Sequence, residues 1–247
     1  CSKAMVDEGI KPAKVEHQQI EALFKAIQST KIMSPPTDCL VPIGEESLIK
    51  GMKKEVAAEF YTAITRPPAV YRGNPFQIEV GLAFGGTLEK DELIKVLRFA
   101  NRVPLLYQQS ACASYSSIVN TMWRNYGLGQ SKGALPAGPA LVLVHMSSVW
   151  VPFTSEAKEA IAAYPEIIHE MKLGLQEVGR QLGIYIRKNI RAREQRDKAN
   201  LFENYIPELA DSLARLSGSK KADITEALKK MLKKSLPAIM QEVAEME

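Results

Sequence analysis

Apolar positions along the chain change period several times, and each change predicts an element. Between Val15 and Thr30, Ile20, Leu23, Phe24 and Ile27 recur at helical spacing, with Pro12 before them and Pro35-Pro36 after, which predicts one short amphipathic helix. The helical pattern resumes from Glu46 to Thr65 through Leu48, Met52, Val56, Phe60 and Ile64, predicting a second helix that Arg66-Pro67-Pro68 stops. Phe76, Ile78, Val80, Leu82 and Phe84 then alternate with Gln77, Glu79, Gly81 and Ala83, the period-2 signature of a strand with one buried face, and Gly85-Gly86 supplies a turn. Val96 to Val103 predicts a second strand ended by Pro104, and the apolar run Ala140 to Met146, interrupted only by His145, predicts a third, buried on both faces. Between these two, Tyr115, Ile118, Val119, Met122 and Trp123 mark a helix, and a Gly/Pro-rich loop from Gly127 to Pro139 leads back to the sheet. Strand, strand, helix, strand, helix is the order of an α+β core with a crossover.

The last third is helical. Ile168, Met171, Leu175, Val178, Leu182 and Tyr185 keep a three-four alternation, and no proline follows Pro165 until Pro207. A helix from Glu166 to Asn204 would be about 58 Å long at 1.5 Å per residue, longer than the core it leaves, so its distal half must project or meet a partner. Pro207, Gly218 and Pro237 predict a tail of two further short helices. Their apolar stripes, Tyr205, Leu209, Leu213 and Leu216, then Ile224, Leu228 and Leu232, have no obvious core left to receive them. They require either a partner's groove or the long helix itself.

Composition narrows the class. A chain of 247 residues, 46% apolar and 24% charged, is globular in character, and no apolar run approaches the roughly 20 residues that span a bilayer. Cys1, Cys39 and Cys112 lie far apart without metal-type spacing, which argues against a disulfide framework or a zinc site and fits a reducing cytoplasm. His17, His145 and His169 are too scattered for a metal or a catalytic triad, and His145, inside a buried strand, is expected to be a hydrogen-bonded core residue. No acidic magnesium cluster and no Gly-rich phosphate cradle is present. Beginning at Cys1 without a charged and then apolar leader, the chain reads as a piece whose upstream part is missing. The segment Arg187 to Lys198 sets six basic residues against Glu194 and Asp197, either a solvated helix face or a surface for a polyanion.

Four stretches carry a resemblance. Gly73-Asn74-Pro75-Phe76-Gln77-Ile78-Glu79-Val80-Gly81 and Arg98-Phe99-Ala100-Asn101-Arg102-Val103-Pro104-Leu105-Leu106-Tyr107 are long and of low degeneracy. Trp123-Arg124-Asn125-Tyr126 is similar to a W-K-x-Y element with Arg in the place of Lys. Val151-Pro152-Phe153, Ser155 and Lys158-Glu159-Ala160-Ile161-Ala162 complete the set. Together they resemble the transducer domain of the DNA topoisomerase VI B subunit, from the first residues to about Leu213.

That resemblance implies an α+β transducer with a left-handed βαβ crossover, similar to a ribosomal-protein fold. Residues 1–37 would be a partial helix-two-turn-helix insert, 38–164 the transducer core, 165–204 a lever helix and 205–247 a helical segment contacting the topoisomerase VI A subunit. It implies an archaeal-type, heterotetrameric, ATP-hydrolysing type IIB DNA topoisomerase. In such an enzyme, ATP-driven dimerisation with a second copy of the B subunit is coupled to cleavage of double-stranded DNA and strand passage, which the A subunit performs. ATP and Mg2+ would be held mainly by an upstream domain, and this piece, without catalytic residues, would be inactive alone. Lys158 falls in the first turn of a predicted short helix, Glu156 to Ala163. By charge alone it is a solvated lysine beside Glu156 or Glu159; by resemblance it is the contact to the ATP γ-phosphate. Trp123, Arg124, Tyr126 and Lys132, with Arg187, Lys188 and Arg191, are the implied DNA contacts, although aromatics at this spacing also pack on sheets. Tyr205, Leu209, Leu213, Leu228 and Leu232 are the implied contacts to the A subunit. The alternative from another class is a stand-alone nucleic-acid-binding or scaffold module with a basic helix. A small-molecule enzyme lacks a convergent acid, base or nucleophile set.

Overall fold

The computed structural model describes the chain apart from residues 1–5, 8, 31–32, 34, 219 and 245–247 and apart from the side chains of residues 199 and 233–244. Helix α1 (His17–Ser29) opens with a reciprocal cap in which the Gln19 amide oxygen accepts from the Glu16 N–H at 3.0 Å. It buries none of its residues and leaves Ile20, Phe24 and Ile27 exposed.

The second predicted helix is shorter than its apolar spacing indicates. Helix α2 (Glu45–Glu55) stops ten residues before Thr65, and Phe60–Thr65 forms strand β1. Phe60 and Ile64 continue the helical phase, but Tyr61-Thr62-Ala63-Ile64-Thr65 is rich in β-branched and aromatic residues that pair with the core strand. Tertiary pairing overrides a helical period that the local sequence also allows. After the short strand β2 (Ala69–Tyr71) comes β3 (Asn74–Phe84), antiparallel to β1, in the register Phe60↔Phe84 to Thr65↔Glu79.

Strand β3 is buried on both faces, not one. Phe76, Ile78, Val80 and Leu82 face a core shared with the long C-terminal helix, while Ala83 faces a second core built on Leu48 and Met52 of α2. Its alternating polar residues are therefore interior positions, and Glu79 is fully buried. Strand β4 (Lys95–Ala100) ends before Val103, because Asn101 and Arg102 adopt φ of 45° and 68° and turn the chain into β5 (Val103–Pro104). Helix α3 (Ala113–Val119) is followed by a separate 3-10 turn, Trp123–Tyr126, so Met122 lies between the two and is exposed. The Gly/Pro-rich loop folds into a small hairpin of β6 (Gly129–Gln130) and β7 (Pro136–Ala137). Strand β8 (Ala140–Ser148) is buried throughout, as its apolar run predicts, and pairs antiparallel with β3 and parallel with β4. The main sheet order is β1-β3-β8-β4-β5, with β2 beside β3.

Helix α4 runs from Pro165 to Ser217, past Asn204 and through Pro207. Its 53 residues span about 80 Å. Ile167, Met171, Leu175, Val178 and Leu182 seat the first half on the sheet. A proline inside a helix costs about 3 kcal/mol in a lost N–H bond and a clash with the preceding turn. Here α5 (Lys221–Ala244) folds back along α4, where Ile206 and Ala210, flanking the proline, are buried. Gly218, at φ 68°, makes the reversal, and Lys221 bonds Asp211 at 3.0 Å across it. The tail is thus a helical hairpin and not two short helices.

Candidate functional site

Two surface features hold most of the candidate residues. The first lies beyond the end of β8. Val151 to Tyr164 is not helical: Phe153 and Ile161 form an antiparallel bridge, Thr154 N donates to Ala160 O at 2.9 Å, and Ala162 N donates to Pro152 O at 2.7 Å. The result is a tight hairpin whose turn is closed by Lys158 N to Ser155 O at 3.1 Å, with Lys158 in the left-handed region at φ 55°. The predicted helix is therefore absent, and no helix dipole acts on Lys158. Cross-strand bonds win because Ile161 and Ala160 are fully buried and pull the returning limb into the core. The Lys158 side chain is exposed at the rim of a depression shared with Asn101, Trp150, Phe153, Ser155 and Glu156.

The floor of that depression is rigid. Asn101 exchanges two hydrogen bonds with the Ser148 backbone, at 2.8 and 2.9 Å, and the Ser148 hydroxyl bonds Pro75 O at 2.9 Å. Trp150, Tyr71 and Tyr164 stack in sequence, with Arg72 over both tyrosine rings at 5.4 and 5.3 Å. Burial pushes the Tyr71 phenol up to about 12. Behind the turn, Glu79 accepts from the backbone N–H groups of Ile43 and Gly44, both at 2.7 Å, from the Thr65 hydroxyl and from His145 Nδ1 at 2.7 Å. His145 Nε2 accepts the Arg102 N–H at 3.0 Å, so the ring carries its proton on Nδ1. Burial alone would raise the Glu79 carboxyl, but these bonds outweigh it and hold it below the usual carboxylate range. His145 is the hydrogen-bonded core residue that its place in the strand predicts. Its partner Glu79 carries only an alternation signal in the sequence, which gives no hint of the site it occupies.

The second feature is the Trp123–Tyr126 turn. Trp123 is fully buried and its indole donates to Ile118 O at 2.8 Å, which leaves it no face for a base or a phosphate. Tyr126 meets Trp123 edge-on and lies against α4, where a Cβ on Gly179 would stand 2.5 Å from its ring. The aromatic pair is packing, and Trp123 as a DNA contact is corrected accordingly. Arg124 points the other way: exposed, with Nε bonded to Gln130 O at 2.7 Å, it lines a depression with Asn125 and Lys132. Gly183 sits between the Arg187 guanidinium and the Tyr126 backbone, which brings Arg187 to the same element. Lys188 and Arg191 follow further along α4, half-buried and exposed respectively.

In the tail, Tyr205, Leu209 and Leu213 remain 54%, 40% and 42% exposed after α5 has packed, while Leu228 and Leu232 are half-buried. Among the described residues no group of acidic, His or Cys side chains could hold a metal ion, and no helix is long and apolar enough to cross a membrane.

A mixed sheet clasped between a short helix and one very long helix that leads away from it defines an α+β domain. Residues 35–198 match the family described as topoisomerase VI B subunit, transducer, and the chain belongs to that family. It is 44% identical over 232 residues to the type 2 DNA topoisomerase 6 B subunit of Methanococcoides burtonii, covering 94% of this chain and 37% of that protein. The corresponding protein of Methanosarcina acetivorans is also 44% identical over the same shares. That of Pyrococcus furiosus is 38% identical over 237 residues, covering 96% of this chain and 40% of the relative. The chain thus spans well under half the length of these relatives.

Proposed function

We propose that this chain is the transducing part of the B subunit of an ATP-dependent type IIB topoisomerase, and that Lys158 is its contact to the ATP γ-phosphate. The observation that carries the reading is the hairpin itself. It presents one exposed lysine at a left-handed turn on a foot made of buried Ala160 and Ile161, beside a floor cross-bonded by Asn101 and Ser148. A cation held in this way meets a phosphate without ordering a loop first, so it discriminates between nucleotides that carry the terminal phosphate and those that lack it.

Closure of an upstream ATP-holding domain, with a second copy of the B subunit, moves the hairpin at the end of β8. Through that hairpin the chain passes from β8 into α4, which lies on the same sheet, and the 53-residue helix carries the displacement outward. Arg124, Lys132, Arg187, Lys188 and Arg191 form the face for double-stranded DNA phosphates. Tyr205, Leu209 and Leu213, with Leu228 and Leu232 beside them, form the grip on the A subunit.

In the complete heterotetramer, Lys158→Ala and Lys158→Met are expected to lower ATP turnover and strand passage at least ~10-fold while leaving folding and nucleotide-free DNA binding unchanged. Wild-type strand passage in both variants removes the assignment.

A further inference from the structure

We propose that Cys112 is held as a thiolate, the buried counter-ion of Arg98, and that this pair anchors the hairpin that presents Lys158. Arg98 lies on β4 and is 4% exposed. Its Nη2 donates to Leu105 O at 2.8 Å and to Tyr107 O at 3.0 Å, but its Nη1 has no hydrogen-bond partner. Among the described residues no carboxylate pairs with it. A guanidinium keeps its charge at any pH a protein survives, and a buried charge without a counter-ion costs several kcal/mol. Some anion is therefore required close by.

The ionisable group beside it is Cys112, which is fully buried. Its sulfur accepts the Ile161 N–H at 3.4 Å and lies 3.0 Å from Ser114 Oγ, a hydroxyl that donates to it once the sulfur is charged. Among the described residues, the groups that bear on the sulfur are Arg98 from β4, the Ser114 hydroxyl and N–H from α3, and the Ile161 N–H from the hairpin, with no carboxylate among them. Burial pushes the thiol up, yet these donors and the guanidinium outweigh it and draw the thiol below its ordinary value. Charge on the sulfur satisfies Arg98 and strengthens the bond from Ile161.

Ile161 is where this matters. Its N–H reaches Cys112 Sγ and its C=O accepts from Ala113 N at 2.8 Å, so both polar groups of the hairpin's returning limb are fastened at the start of α3. Through Leu105 and Tyr107 the same guanidinium holds the segment after β5. Arg98 and Cys112 are thus positioning residues: they touch no ligand and set the height of the Lys158 turn above the core. The consequence for nucleotide sensing rests on the assignment of Lys158 to the γ-phosphate, whereas the charge state of Cys112 does not.

The test begins with the ultraviolet thiolate band of the full chain, taken as the difference between wild type and Cys112→Ser and titrated from about pH 5 to about pH 9, around the ordinary thiol value of ~8.5. The band is expected to be present already at neutral pH and to be lost there in Arg98→Met. A band that grows in only near the ordinary value, or one indifferent to Arg98, overturns the pairing. Cys112→Asp and Cys112→Asn, matched in shape, give a second reading. If the site requires an anion, C112D melts higher than C112N, and the reverse order overturns the proposal. Amide exchange at Ile161, faster in C112N than in C112D, reports the anchoring without any nucleotide, so failure of Lys158→Ala to affect turnover would leave it standing.

Discussion

At the scale of residues, Glu79 shows how a polar position in an alternating strand becomes an interior one. Its carboxylate receives four donors, from Ile43, Gly44, Thr65 and His145, and so joins the start of α2 to β1 and β8. Glu79→Gln keeps the shape but turns an amide N–H2 toward groups that already donate, so it is expected to destabilise the chain by ~1–3 kcal/mol at neutral pH. The pH dependence has a definite sign. A carboxyl whose folded value is depressed contributes stability that is fully present above its unfolded value of ~4.3 and is lost as pH falls through the folded value. Denaturant melts from about pH 7 to about pH 3 should therefore show a gap between wild type and Glu79→Gln that is constant above that unfolded value and narrows below it. A gap independent of pH would mean that Glu79 is not ionised in the fold.

Among elements, glycine placement on helices separates close packing from ordinary surface. Gly174 and Gly179 let α4 approach the sheet and the Trp123–Tyr126 turn: Cβ atoms there would lie 2.7 Å from Val80 and 2.5 Å from Tyr126. Gly51, within α2, has nothing within 4 Å of its notional Cβ. Two identical substitutions should then have opposite signs. Gly51→Ala is expected to stabilise by ~0.5–1 kcal/mol through helix propensity. Gly179→Ala gains the same propensity but must displace a ring, and is expected to destabilise by ~1–3 kcal/mol. Thermal melts of the two variants check this, and equal shifts would show that the helix is not seated on Tyr126.

For the whole molecule, what matters is which surfaces remain once every element has packed. Arg124 faces out where its aromatic neighbours face in, so Arg124→Ala is expected to make the slope of log DNA affinity against log salt shallower by about one without changing the melting temperature. An unchanged slope would return Arg124 to plain surface. In the tail, the helical hairpin consumes Ile206 and Ala210 but leaves Leu209 and Leu213 largely exposed. Leu209→Glu with Leu213→Glu should therefore alter stability by no more than ~0.5 kcal/mol, yet cost ~2 kcal/mol or more of affinity for the A subunit in a binding titration. Full affinity in that double variant would move the grip elsewhere on α4.

Periodicity in the sequence was enough to set out α1, the start of α2, strands β3 and β8, the buried His145 and the long helix, because each rests on a local pattern that burial on one side of the chain enforces. The four matched stretches were likewise local, and they carried the family. Other outcomes depended on partners distant in sequence. Phe60–Thr65 became a strand because β3 offered an edge, and both faces of β3 were buried because α2 and α4 cover opposite sides. Lys158 lies in a turn because Ile161 is bound by Cys112 and Ala113, some fifty residues earlier in the chain. Pro207 failed to end α4 because α5 returns along it. Which way Trp123 and Arg124 point was decided by the space against α4, where Gly179 and Gly183 admit Tyr126 and leave the cation outside. A single chain's pattern records what each residue prefers locally, and only the packed molecule determines which of those preferences can be met together.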